Sequence, residues 1–241
     1  MRQPAGVESA TFPNPEALLA LLQLTDASAP VGGYAQSHGL EGLEQLGGLS
    51  DGSVLRDVLD SVLKHSLATA DLVGVVQAHR AAAANDIDTL LELGTLFTAH
   101  KVAREAREAS LGLGKRLLSN AANLTDATLL ESYRALVRLN RCQAHHCLVF
   151  GVVTQALRIA EEPAVLGFGY TVLAGAVSAA LRLGVLGQSE AQVILKGEWV
   201  PLVEAVAGAR TLDVVDISSF APMLEIGTMG HERAYSRLFS S

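Results

Sequence analysis

Positive charge is scarce in this chain: 18 Lys and Arg stand against 25 Asp and Glu, a net charge of -7 over 241 residues. A negative field repels phosphate backbones and anionic lipid heads, so neither nucleic acid nor a membrane surface is an expected partner. Cysteine is almost absent. Cys142 and Cys147 cannot build a disulfide framework, and at five residues apart in an expected helix they do not suit a bridge, so the thiols read as reduced and the chain as cytoplasmic. Aromatics make up only 5%, which disfavours a sheet-rich fold. Proline is missing from Val31 to Glu162, a run of 132 residues, so nothing there interrupts long helices.

What the chain has in abundance is Leu and Ala, 39 and 36 residues, both good helix formers. Hydrophobic residues reach 49%, with no linker, repeat or low-complexity tract, so the reading is one all-α domain over 1–241 with about nine or ten helices. Residues 1–13 and the tail 229–241 are expected to be mobile. Asn14-Pro15 looks like a helix cap with proline at the first helical position. Gly47-Gly48 followed by Ser50 and Asp51 reads as a stop and a new start, after which Val54, Leu55, Val58, Leu59, Val62 and Leu63 recur at helical spacing. Asn85-Asp86, Asn123 to Asp126 and Glu161 to Pro163 mark further breaks, and Ser189 with Gln192 suggests a capping box.

Two segments resemble targeting signals. The apolar stretch from residue 17 ends in Ala27-Ser28-Ala29, but Glu8 and Glu16 outweigh Arg2 where a signal peptide would be basic. Pro163 to Leu181 carries no charge and is long enough for a bilayer, yet its glycines and hydroxyls fit a central helix of a globular core better.

Chemical motifs are sparse. Gly112-Leu113-Gly114-Lys115 lacks the earlier glycine and the following Ser or Thr of a phosphate-binding loop. Ala35-Gln36-Ser37-His38-Gly39 approximates a hydrolase elbow without a strand to feed it, which makes a Ser37 hydrolase the weakest reading. Cys142, His145 and His146 would share a helix face and are the only metal candidates, soft and incomplete. Between Lys101 and Leu118 charge is dense, with Lys101–Glu105 and Arg104–Glu108 spaced to pair along a solvated face; Arg104, Arg107 and Arg116 are the alternative contacts for a partner.

Two stretches remain, one near each end. The first is the glycine-rich turn Pro30-Val31-Gly32-Gly33-Tyr34-Ala35-Gln36-Ser37-His38-Gly39-Leu40-Glu41, with a helix expected to start near Ser37. The second is His231-Glu232-Arg233-Ala234-Tyr235-Ser236-Arg237-Leu238-Phe239-Ser240-Ser241, rich in anchor types. Together they resemble the opening P-x-G-[FY]-x-x-S-x-G-L-E and closing H-E-x-x-Y-S-R-L-F-x-S patterns of the UreF family of urease accessory proteins. Arg104-Glu105 to Gly114, His145 to Gly151 and Arg182 to Gln192 also follow that family's habits in order.

The resemblance implies an all-helical cytoplasmic chaperone with no reaction and no firmly bound cofactor of its own. It implies a bridge between UreD (called UreH in some species) and the GTPase UreG, in a complex that delivers nickel to apo-urease in a GTP-dependent step, with carbon dioxide needed for lysine carbamylation. Gly33, Tyr34, Ser37, His38, Glu41, His231, Glu232, Tyr235, Ser236, Arg237, Leu238 and Phe239 are then the expected partner contacts, and Arg104, Arg107 and Arg116 face UreG in the variant where the protein regulates GTP turnover. A direct nickel carrier is the other variant. The small residues of 163–181 suggest a homodimer interface.

Overall fold

The computed structural model describes residues 14–26, 33, 36–231 and 237–239, and every described element is helical. In chain order they are α1 (Pro15–Thr25), α2 (Leu40–Gln45), α3 (Gly52–Val62), a π-helical stretch (Leu63–Asp71), α4 (Leu72–Ala83), α5 (Ile87–His100), α6 (Arg104–Ala121), α7 (Thr128–Arg138), α8 (His146–Ala156), α9 (Glu161–Arg182), α10 (Gln188–Gly197), α11 (Trp199–Ala209), a 3-10 turn (Val214–Asp216) and α12 (Pro222–His231). The all-α expectation therefore holds, and the proline-free segment carries the longest continuous rod, α3 through the π stretch into α4.

Local chemistry sets most helix ends. Asn14 accepts from the Ala17 amide ahead of Pro15, Asp51 caps α3 through the Ser53 and Val54 amides, and Asp86 caps α5 through Thr89. The expected Ser189–Gln192 box does not form. Gly187, which has no side chain to cap with, is the cap residue of α10, and Ser189 lies inside the helix, which already begins at Gln188.

Helices α4 and α8 form the centre. Leu72, Val73, Val75 and Val76 of α4 and the whole run Cys147–Thr154 of α8 are buried, the all-round apolarity of helices covered on every side. The long apolar α9 packs against both. Although α9 is long and apolar enough to cross a membrane, it is built into the core, and its entry is tied down by charge. Glu161 takes Arg80 at 2.7 Å and Arg210 at 2.8 Å, and Arg210 also reaches Glu162 at 2.7 Å, joining α4, α9 and α11.

The small residues of α9 serve this internal packing. A Cβ on Gly167 would meet Leu21 of α1 at 2.7 Å, and one on Gly169 would meet Leu202 of α11 at 2.5 Å. Gly167 and Gly169 therefore pack against the chain's own helices, while Leu166 and Tyr170 of α9 stay exposed. Residues 229–231 complete α12, and Phe239 is buried in the core, while 1–13, 232–236 and 240–241 lie outside the described residues.

Candidate functional site

The helix expected near Ser37 starts at Leu40. His38 and Gly39 adopt φ values of 53° and 84°, and two successive left-handed residues cannot belong to an α-helix. The turn aims α2 across α12, where Gly42 faces Gly227 so closely that a Cβ on Gly42 would run into the Gly227 carbonyl. This backbone-to-backbone crossing brings position 41 beside position 231, although 190 residues of chain separate them.

At the crossing sits a buried network of charges. Glu41 Oε2 lies 2.8 Å from His231 Nε2, and His231 Nδ1 lies 2.9 Å from Glu105 Oε2 on α6. Arg237 donates to Glu105 Oε1 at 3.1 Å. The amides of Leu238 and Phe239 donate to Glu41 at 2.6 and 3.0 Å. Both nitrogens of the His231 ring are thus met by carboxylate oxygens and Glu41 also accepts from two backbone amides, so the buried polar groups of the junction are hydrogen-bonded to one another, as burial requires. Arg182 of α9 covers the Phe239 ring at 4.2 Å, a cation–π contact that seals the tail end.

The described parts of the two end motifs, 36–41, 231 and 237–239, therefore meet in one structural unit. Ser37, Glu41, His231 and Phe239 are buried and position the unit from inside. His38, Arg237 and Leu238 reach its surface, and Gly33 is half-buried. Tyr34, Glu232, Tyr235 and Ser236 lie outside the described residues. Beside the junction, Met223, Ile226 and Met229 of α12 are exposed, as is Phe220 in the segment just before the helix. Sequence reasoning missed Glu105 and Arg182 as members of the unit. Both lie in stretches that had been singled out, but only the fold places them at the ends of the chain.

Lys101 was expected to pair with Glu105. It instead holds Asp71 at 2.9 Å, because the π stretch delivers Asp71 to the end of α5 and His231 has already engaged Glu105. Burial pushes the Asp71 carboxyl up, but Lys101 outweighs it and leaves the group below the usual carboxylate range. The pair borders a cavity of about 220 Å³ with Ser110, His146 and Cys147 in its wall. Of the three arginines proposed to face a GTPase, Arg107 is taken up in capping α5 through the Lys101 and Val102 carbonyls at 2.8 and 3.3 Å. Arg104 and Arg116 are exposed, with Arg104 3.6 Å from Glu108 as its spacing predicted.

The metal candidates do not converge. Cys142 lies in a turn before α8 and donates to the Leu90 carbonyl at 3.8 Å, while His145 is the cap residue of α8. The chain between α7 and α8 is not helical, so the shared face inferred for 142, 145 and 146 does not exist. Among the described residues no three His, Cys, Asp or Glu gather as a metal site.

His145 instead links three helices, with Nε2 at 2.9 Å from Thr98 Oγ1 and Nδ1 at 3.2 Å from Ser110 Oγ. Thr98 already donates its proton to the Gly94 carbonyl at 2.8 Å. His145 must therefore donate from Nε2 and accept at Nδ1, which makes it the neutral ring. Burial, assisted by Lys101, lowers its pKa to about 4, and burial likewise takes His146 to about 4. Unfolded histidine titrates near 6.5, so the unfolded chain binds more protons between those values. Stability is then full above pH 6.5 and falls as the pH drops toward 4. Urea unfolding at pH 5 against pH 7 is expected to show a loss of about 2 kcal/mol from His145 and less from the partly exposed His146; equal stability at the two values would refute this.

Fold and junction together define a protein whose described elements are all helical and whose two ends meet at one largely buried hydrogen-bonded network. The UreF family model matches residues 49–197. The chain is 32% identical over 222 residues to urease accessory protein UreF of Actinobacillus pleuropneumoniae serotype 5b (strain L20), covering 92% of this chain and 98% of that one. It is 31% identical over 223 residues to the protein of the same name from Paenarthrobacter aurescens (strain TC1), covering 92% and 97%. With the Kocuria rhizophila protein it shares 32% over 236 residues, covering 95% and 99%. The chain belongs to the UreF family.

Proposed function

We propose that this protein is a non-enzymatic accessory factor in urease maturation, a cytoplasmic scaffold that bridges UreD (UreH) and UreG so that nickel reaches apo-urease from the assembled complex. Family membership supports the urease role. The observation that carries the scaffold reading is the junction itself. A largely buried network of Glu41, His231 and Glu105, reached from the surface by Arg237, joins the described parts of both end motifs, and it sits beside an exposed apolar stripe on α12. Met223, Ile226 and Met229, at i, i+3 and i+6 of α12, fall within about 120° of one another on the helix surface, the kind of anchors a helix-mediated protein contact uses. Homodimerisation belongs to the same proposal.

The test is co-purification with UreD and UreG from the same organism, followed by mass determination of the eluted species. The parent protein is expected to give a ternary complex. Met223→Asp with Ile226→Asp alters only exposed positions, so it should abolish capture of UreD while leaving the helical signal and Tm within a few degrees. Capture unchanged by the double variant, or a parent that elutes alone beside folded partners, would defeat the reading. GTP turnover by UreG with and without this protein separates passive bridging from regulation through Arg104 or Arg116.

A further inference from the structure

Lys115 ends the failed phosphate-loop pattern, and the fold gives it a different setting. Lys115, Leu118, Ser119 and Ala122 share one face of α6, and Arg134, Val137 and Arg138 share one face of α7. The two faces line a cleft of about 540 Å³ closed by Asn123 and Asn140. Among the described residues its walls contain three cations and no carboxylate, in a chain whose net charge is -7.

The cations are differently held. Arg134 is half-buried and steadied by Glu131 at 3.3 Å, which leaves most of its five donors for another acceptor. Lys115 and Arg138 are exposed and form no ion pair among the described residues. Arg138, in the last turn of α7, also complements that helix's dipole, but the dipole does not account for Lys115 and Arg134 turning to the same cleft. Buried Leu118 and Val137 form an apolar floor, and Ser119, Asn123 and Asn140 add neutral hydrogen-bonding groups. The volume falls in the range of small-molecule sites, about 300 to 1,000 Å³.

We propose that the α6–α7 cleft binds a small organic anion bearing two or more phosphate or carboxylate groups. Planar guanidinium forks bind either group through paired N–H bonds, and the ammonium adds a point charge. The site lies apart from the α2–α12 junction and does not depend on the scaffold role.

Titration calorimetry of the full chain with pyrophosphate and with citrate tests it, at about 0.1 M salt where longer-range attraction is screened. Saturable one-to-one binding of at least one probe is expected, weakened at least tenfold in the Lys115→Ala/Arg138→Ala variant and retained in Lys115→Arg. Both alanine positions are exposed, so an unchanged melting curve shows that the double variant is folded. A preference for pyrophosphate assigns the phosphate class, and a preference for citrate the carboxylate class. Absence of saturable binding to both probes, or equal affinity in the folded double variant, overturns the proposal.

Discussion

Replacing Glu41 with alanine is expected to cost about 3 to 5 kcal/mol, the range for removing one partner from a buried ion pair. The substitution strands three donors at once. His231 is fully enclosed and, among the described residues, keeps Glu105 as its remaining carboxylate partner, and the Leu238 and Phe239 amides lose the acceptor that holds the tail. Urea unfolding gives the loss directly, and limited proteolysis should cut near the tail well before the body. Glu41→Gln preserves shape and one acceptor oxygen, so it should fall between parent and alanine. If Glu41→Ala unfolds within about 1 kcal/mol of the parent, the network is not what fastens the ends together. The same variant should weaken UreD capture in proportion to tail release, which links the stability of the junction to assembly.

The second large effect is steric. Gly42→Ala directs a Cβ into the carbonyl of Gly227, and a backbone atom cannot rotate out of the way as a side-chain tip can. Helices α2 and α12 must then separate, which pulls His231 from Glu41. A loss of about 3 kcal/mol or more is expected, at the upper end for overpacking. Gly208→Ala is the matched control. It lies within α11 with open space where the Cβ would stand, so helix propensity alone should stabilise it by about 0.5 to 1 kcal/mol. Opposite signs for two glycine-to-alanine changes in one chain isolate the crossing as the cause. Similar small effects from both would show that the crossing relaxes easily.

Helix content, many helix boundaries and membership of the UreF family were legible in the sequence by itself. Asn14, Asp51 and Asp86 cap helices through bonds to amides two or three residues away, and such short-range chemistry is written in neighbouring residues. The proline-free run and the Leu and Ala content set the fold class for the same reason. The end motifs were visible as motifs, but Ser37, Glu41, His231 and Phe239 looked like partner contacts when they are the interior of a joint. Tertiary structure alone decided that Glu41 meets His231, that Glu105 abandons Lys101 for the tail, and that Lys101 turns to Asp71. It also decided that Cys142 and His145 leave the helical register on which a shared metal face depended. Such pairings join residues 30 to 198 positions apart, where no periodicity or spacing rule reaches. The Glu41–His231 pairing follows from the direction in which His38 and Gly39 turn the chain and from how closely two glycines let α2 and α12 approach, and the Lys101–Asp71 pair from the π stretch that brings Asp71 to the end of α5.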